Sequence, residues 1–555
     1  MIEEEIGMGR MSTKKVTGLS LAAALAFSSL GFAGSVKTEV EAKDKKKEPT
    51  NVIMMVMDGT SAGATSLARW YKGEDLAMDE IAIGGVRTYS AESAITDSAP
   101  AATALATGNK SNDKVVGLLP KVVSSPGVEQ IKEEDQLRPV ANVLEAAKLD
   151  GKSTGIISTS EIQHATPAGF SSHAPHRSNY NDIAEQQVYQ GIDVVLGGGK
   201  ESLTPAGRKD GENLLKVIDS KGYDVVETRK DLMKSNSKKL WGAFAPSAMA
   251  YDIDREKTRK NEPTLAEMTK KGIDTLSKNK EGFFLFVEGS KVDWAAHAND
   301  PIGMIGDVLA FDDAVNEALE FAKKDGNTMV IAVSDHGNSG ITMGNVNTNA
   351  SYPSTPVSAY IDPLKKASMT LEGATGKLKA DRSNMKQVAA LYGLDNLTKE
   401  EIEALKASKN LNGDLSKMLA SRANLGFTTG GHTGEDVFLY AYGPSRPFGM
   451  VENTDLPKKM ADFMGVNLEK TTDKLFVNAR ESFEKKGYKT RIDVTDENNP
   501  VFVAEKNKKK IEMPANKNIV TVTDKKKSKT KTLDGVTVYN GKDFYVSDKA
   551  LKEAK

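Results

Sequence analysis

From residue 51 onward, the chain alternates between two textures. One is a set of short, almost unbroken apolar runs: NVIMMVMDG (51–59), STGIISTS (153–160), DVVLGGG (193–199), FFLFVEG (283–289), TMVIAVSDHG (328–337) and DVFLYAYGP (436–444). Runs this short with no polar alternation predict strands covered on both faces, as in a largely parallel sheet. The other texture has helical spacing, as in PVANVLEAAKLDG (139–151) and GMIGDVLAFDDAVNEALEFAKKDG (303–326). Their alternation predicts an α/β fold, a mostly parallel central sheet flanked by helices.

Two stretches depart from that rhythm. Between His336 and His432 lies a long excursion containing the amphipathic LTKEEIEALKASK (397–409), so 337–431 is expected to be an insertion with its own helices, a lid or an oligomer contact. From 491 to 555 the chain becomes lysine-rich, with short β-like runs and an Asn540-Gly541 turn signal, which predicts a small β-rich C-terminal extension. The main α/β domain is expected over 51–490. The lysine runs read as solvated surface that could also contact an anionic polymer of the cell envelope.

At the other end, MSTKKVTGLSLAAALAFSSLGFAG has a basic start and an Ala/Leu-rich apolar stretch, the pattern of an export signal. It is broken by Ser and Gly and is a poor membrane anchor. Cleavage is expected after Val40-Glu41-Ala42 or after Gly31-Phe32-Ala33, making 1–42 a signal peptide and 43–50 a linker. The acidic Met1–Arg10 does not suit a signal start, so Met11 is the expected initiator. The mature protein is then expected to be secreted, periplasmic or at the cell surface, with no transmembrane anchor.

Composition narrows the chemistry. A net charge of −1 leaves no overall basic footprint for nucleic acid. With no cysteine and six histidines, a metal site has to be built from His, Asp, Glu and hydroxyls. Such residues fall at strand ends: Asp58, Glu288, and the Asp335–His336 pair. In open α/β sheets, sites form at the carboxyl ends of strands. Asp293 and His297 are four residues apart, one helical turn, a spacing that suits two ligands of one zinc. His432 sits in a Gly-rich loop before a strand. Ser98 lies between Asp97 and an alanine-rich run whose Pro100 is tolerable only in a first helical turn. It reads either as an N-cap or as a nucleophile whose phosphorylated form would face free amides.

With these residues in place, the sequence resembles the metal-dependent alkaline phosphatases over roughly Asn51 to Tyr488. The motifs that carry the likeness are MDG with Asp58, TDSAPAATALATG with Ser98, ISTSEIQHATPA with Thr166, HRSN with Arg177, VEGSKVDWAAH, VSDHG and GGHTGEDVFLYAYGP. The resemblance implies hydrolysis of diverse phosphate monoesters through a phosphoserine on Ser98. Arg177 would clamp the phosphate and Asp97 would position Arg177. It implies one zinc on Asp293, His297 and His432, and a second on Asp58, Asp335 and His336. Magnesium would sit with Asp58, Thr166 and Glu288. Two positions depart from the best-known enteric pattern, which has Asp where His164 stands and Lys where Trp294 stands. Both residues are expected beside the substrate, with magnesium held less firmly or replaced by cobalt or zinc. His173 and His176 match no ligand position and are expected to be loop residues beside Arg177. The family is commonly dimeric, which makes a homodimer the expected assembly. The alternatives are a phosphodiesterase or sulfatase of the same superfamily, or a metal-stabilised surface-binding protein.

Overall fold

A computed structural model describes residues 50–525 and 527–554. The export signal and residues 43–49 of the linker lie outside the described residues. Among those described, no helix is long and apolar enough to cross a membrane.

The six apolar runs all become strands of one ten-stranded sheet. In chain order it contains β1 (Asn51–Met57), β2 (Ala82–Arg87), β3 (Ser153–Glu161), β4 (Val194–Gly198), β5 (Asp224–Val226), β6 (Leu240–Ala243), β7 (Phe283–Gly289), β8 (Thr328–Val333), and the strands Val437–Tyr442 and Gly449–Glu452. β1 lies centrally, parallel to β7 on one side and β8 on the other, and β3, β4, β6 and β5 continue outward from β7 in parallel. The DVFLYAYGP run departs from the parallel arrangement, since Val437–Tyr442 runs antiparallel to both β8 and β2.

Both faces of the sheet are covered, which explains the missing polar alternation. Ile53, Met55 and Met57 of β1 enter one apolar cluster, and Val52, Met54 and Val56 the other. Val56 registers with Glu288 of β7 and Val333 of β8, so Asp58, Glu288 and Asp335 emerge at nearly one level of the sheet's carboxyl edge.

The 337–431 excursion carries the helices Ser358–Lys365, Leu371–Thr375, Met385–Leu391, Lys399–Ala407 and Leu411–Arg422. Two short antiparallel ladders close its base, pairing His432 with Asn338 and Thr342 with Gly426. Its apolar residues Leu371, Tyr392, Leu415 and Leu419 join the cluster on one face of the main sheet. The buried Asp300 ties the excursion to the chain after His297, accepting from Leu371 N at 2.9 Å and from the Tyr392 hydroxyl at 2.9 Å.

The C-terminal lysine-rich region forms a five-stranded antiparallel sheet from Lys489 to Thr532, with its own core of Phe502, Ile511, Met513 and Val520. It is fastened to the rest of the chain. Gln186 Nε2 donates to Asn516 Oδ1, Lys517 pairs with Glu185 and Glu212, and Val536, Val538 and Tyr545 enter the apolar cluster on the main sheet's second face.

Candidate active site

Helix α1 spans Ala62–Lys72, and Ser98 is the first residue of helix α2 (Ser98–Thr107), so the N-cap position falls to Asp97 rather than to Ser98. Asp97 makes no capping hydrogen bond. Its carboxylate turns instead to Arg177, whose Nη1 donates to both of its oxygens at 2.8 and 2.7 Å. Burial works against the Asp97 charge, but the guanidinium outweighs it and holds the carboxyl below its ordinary range. The first turn of a helix has backbone N–H groups without intrahelical partners; here Pro100 has none and Ala101 N donates to Asp97 O, which leaves the Ser98 and Ala99 amides at the start of α2. Ser98 is 2% exposed, and its Oγ stands 3.1 Å from His336 Nε2 and 3.5 Å from Asp58 Oδ1.

Around Ser98 the strand-end residues converge. Asp293, His297 and His432 form one group able to hold a cation, Asp58, Asp293 and His336 a second, and Asp58, His164 and Glu288 a third. In the first group, His297 Nε2 and His432 Nε2 are 3.1 Å apart, and each lies 3.5 Å from an Asp293 oxygen. His336 Nε2 is 3.5 Å from Asp58 Oδ1 and 3.3 Å from Asp335 Oδ2. Donors held by one tetrahedral zinc stand about 3.3–3.4 Å from one another, and these separations match.

Each imidazole has its tautomer set by the backbone. His297 Nδ1 faces Gly430 O at 2.9 Å, His432 Nδ1 faces Thr96 O at 2.8 Å, and His336 Nδ1 faces Gly337 O at 3.2 Å. A carbonyl only accepts, so Nδ1 carries the hydrogen and Nε2 keeps the free lone pair. The acids are oriented in the same way. Asp335 Oδ1 accepts from Gly59 N and His336 N, and Asp293 Oδ1 accepts from Asn338 Nδ2 at 2.7 Å. Gly59 is required here twice over: its φ is +62°, and a Cβ would come within 2.3 Å of Asp293 Oδ1.

What remains is a set of buried polar atoms without hydrogen-bond partners: Asp58 Oδ2, Asp335 Oδ2, Glu288 Oε1, Thr166 Oγ1 and His164 Nδ1. Buried polar atoms are ordinarily satisfied, so their concentration around one point needs a ligand to explain it. The charge balance agrees. Burial pushes the Asp58 carboxyl well above the usual carboxylate range, and Asp335, Asp293 and Glu288 add to the shift. Burial also lifts Glu288 to about 7, against the hydrogen bonds it receives from Ser158 and Ser290. Burial opposes protonation of His432, yet Asp293 outweighs it and raises the imidazole to about 9. Asp58, Glu288 and His432 are thus pushed toward their protonated forms, whereas divalent cations would favour the forms that bind metal. The residues present therefore fit a cluster of metal ions.

Sequence reasoning missed several supporting residues. Asn338 orients Asp293, and Ser158 Oγ donates to Glu288 Oε2 at 2.5 Å. The hydroxyl-rich end of STGIISTS hinted at the second but not at Asn338, which arrives with the His432 ladder. Trp294 meets His164 edge-on, with 5.8 Å between ring centroids. Neither of the two unassigned histidines joins the metal groups. His176 bonds to Ser178, but His173 is not beside Arg177. It is fully enclosed, with Nδ1 at 2.8 Å from Gly117 O and Nε2 at 3.0 Å from Glu145 Oε1.

Comparison with known proteins accounts for this geometry. Residues 49–466 match the family model "Alkaline phosphatase". The chain is 38% identical over 487 residues to alkaline phosphatase 3 of Bacillus subtilis, covering 82% of this chain and 98% of the relative. It is 33% identical over 499 residues to the repressible alkaline phosphatase of Saccharomyces cerevisiae, covering 78% and 84%. Among solved structures, the alkaline phosphatase of Thermus thermophilus superposes with a TM-score of 0.67 at 28% identity, covering 78% of this chain and 96% of that one. The alkaline phosphatase of the Antarctic bacterium TAB5 superposes with a TM-score of 0.55 at 27% identity, covering 76% and 100%. A TAB5 variant with one His replaced by Glu has Mg bound in the M3 site. The chain belongs to the alkaline phosphatase family, metal-dependent enzymes that hydrolyse phosphate monoesters.

Proposed function

We propose that Ser98 is the nucleophile of a phosphomonoesterase working through a phosphoserine, with Arg177 as the phosphate clamp. The observation that carries this reading is the position of the 2%-exposed Ser98 Oγ, at a helix start and 3.1 Å from His336 Nε2. Asp293, His297 and His432 would hold one zinc, and Asp58, Asp335 and His336 a second. Asp58, Thr166 and Glu288 offer the oxygen donors that suit magnesium. Bound there, such ions supply Lewis acidity that stabilises charge on the attacking and departing oxygens.

The chain's own residues do the rest. Ser98 gives up its hydroxyl proton as Oγ attacks phosphorus in line, the Oγ–P bond forms as the ester P–O bond breaks, and the departing oxygen keeps the electron pair and takes up one proton from the surrounding water, leaving as the alcohol. The guanidinium of Arg177 presents a planar pair of donors to two phosphoryl oxygens, while the first-turn amides of α2 face the same charge. Water then attacks the phosphoserine from the side the alcohol vacated. Inorganic phosphate departs and the serine is restored. The residues placed here address the phosphate rather than the alcohol, which supports a broad range of monoesters.

His164 has a defined part in this scheme. Arg177 Nη2 lies 3.0 Å from His164 Nε2, and a guanidinium can only donate, so Nε2 accepts and Nδ1 bears the hydrogen. Burial, aided by Arg177, holds His164 down to about 4, so the ring is neutral. Its Nδ1–H is left without a protein partner, so His164 would complete the third group by holding a water of the ion rather than by direct ligation, which supports magnesium there, less firmly held. Other features support two wider readings. Lys527 and Lys529 on the strand Lys527–Thr532, with Lys508 and Lys525 in adjoining turns, supply positive charge for an anionic envelope polymer. The exposed Phe438, Phe448 and Met450 offer an apolar surface for a second copy of the chain.

The test compares hydrolysis of a chromogenic phosphate monoester, the matching diester and the sulfate ester, each with and without chelator, with acid quenching to trap phosphoserine. Monoester turnover that chelator abolishes, with phosphate trapped on Ser98, is the expected result. Preference for the diester or sulfate ester would overturn the reading, as would turnover with no trapped phosphate.

A further inference from the structure

The mechanism leaves a buried cation beside Trp294 unused. Lys291 is 2% exposed and stands one helical turn before Trp294 on the helix Lys291–His297. Its Nζ lies 4.1 Å from the centroid of the Tyr251 ring and 4.2 Å from that of Trp294. Among the described residues, no hydrogen bond or ion pair engages this ammonium, and Glu372, Asp307 and Glu161 act on it only through space. The side chain borders a cavity of about 330 Å³ that Tyr251, Trp294 and Glu372 also line. An ammonium with ordinary hydrogen-bond partners could shift among them, whereas one held between two aromatic faces is tied to the planes of those rings.

Trp294 carries the contact onward. It meets His164 edge-on at 5.8 Å, and His164 Nε2 accepts from Arg177 Nη2 at 3.0 Å. Lys291, Trp294, His164 and Arg177 thus form one unbroken series of contacts from the cavity to the phosphate clamp. We propose that Lys291 is a positioning residue: held between Tyr251 and Trp294, it fixes the Trp294 ring, which sets His164 and hence the angle at which Arg177 meets phosphate. The proposal rests on Arg177 being the clamp. It makes Lys291 a determinant of phosphate affinity without placing it in contact with substrate.

The experiment uses the metal-loaded enzyme with inorganic phosphate as the probe. Lys291→Met removes the charge and keeps most of the apolar stem, while Lys291→Arg keeps a cation that stacks on aromatic faces. Lys291→Met is expected to raise both KM and the phosphate inhibition constant by about fivefold, with kcat changed less than either. It should also alter the phosphate-induced change in tryptophan emission. Lys291→Arg should return all three readings to within about twofold of the parent. In a Trp294→Phe background, the effect of Lys291→Met should shrink, because the coupling runs through Trp294. Unchanged phosphate inhibition in a folded Lys291→Met protein would overturn the proposal. So would equal losses in the Met and Arg variants, or an effect undiminished without Trp294. Should Lys291→Met not fold, Lys291→Arg combined with Trp294→Phe supplies the coupling test, and additive effects there overturn the proposal. Phosphate inhibition unaffected by Arg177→Ala would instead sink the clamp reading itself, a distinguishable failure.

Discussion

Arg177 and Asp97 face each other across the mouth of the site. One guanidinium nitrogen, Nη1, spans both carboxylate oxygens, and the other, Nη2, is left to His164. Asp97 therefore spends the entropy of ordering Arg177 before substrate arrives. In Asp97→Ala the guanidinium should lose its fixed angle, raising KM and the phosphate inhibition constant by about tenfold. Steady-state kinetics with product inhibition checks this, and values equal to the parent would show that Asp97 does not orient the clamp.

Ser98→Ala removes the hydroxyl that stands 3.1 Å from His336 Nε2. Turnover should fall on the order of 10³-fold or more, with no phosphate trapped on the protein after acid quench. Zinc content should stay near the parental level, because each proposed zinc site keeps its Asp and His ligands in this variant. Near-parental turnover would exclude Ser98 as nucleophile.

His297 and His432 meet through their Nε2 atoms at 3.1 Å, an approach that a shared cation accounts for. Replacing either by Ala should lower zinc content by about one ion per chain and weaken zinc affinity at least about 100-fold, with activity partly regained in excess zinc. Elemental analysis alongside activity titration gives the answer. Full zinc content in both variants would remove these histidines from the ligand set.

At position 164, a carboxylate would replace a neutral donor that also accepts from Arg177. His164→Asp should tighten magnesium binding about tenfold or more, since a charged oxygen replaces an N–H beside Asp58, Thr166 and Glu288. It should also slow phosphate release, because Arg177 and the third site would then share one anion. Magnesium titration of the apo-protein measures the first effect and product inhibition the second. Equal magnesium affinities would mean that His164 does not shape the site.

The buried His173–Glu145 pair gives stability a pH signature. Burial opposes charge on His173, but Glu145 outweighs it and raises the imidazole above its ordinary value. Glu145 is lowered in return by His173, against its own burial. A raised His contributes fully below its unfolded value of about 6.5 and loses that contribution as pH climbs through the folded value. A lowered Glu contributes above about 4.3 and loses its share as pH falls through its own folded value. The pair therefore stabilises most between those limits and fades on the alkaline side. His173→Gln should cost about 1–3 kcal/mol near pH 6, and the difference in Tm from the parent should narrow toward pH 10. A gap of constant size from pH 6 to 10 would show that the pair is not charged.

The strands were legible in the sequence because burial on both faces erases polar alternation, and that erasure is a local property of each run. The Asp293–His297 pair was legible for a similar reason, helical spacing being set by the backbone alone. The start of α2 was marked by Pro100, which a helix admits only in its first turn. Which strand ends meet is not local information. Tertiary structure decided that Val437–Tyr442 runs antiparallel beside β8, and that the two-residue ladder from Asn338 to His432 closes the long excursion. That closure brings His432 against His297 and His336 and delivers Asn338 to Asp293. It also decided that His173 lies enclosed against Glu145, and that Asn516 and Lys517 of the C-terminal sheet grip Gln186 and Glu185. The physical reason is the same in each case. A polar residue's fate depends on the partner that arrives from elsewhere in the chain, and nothing in its own neighbourhood encodes that arrival.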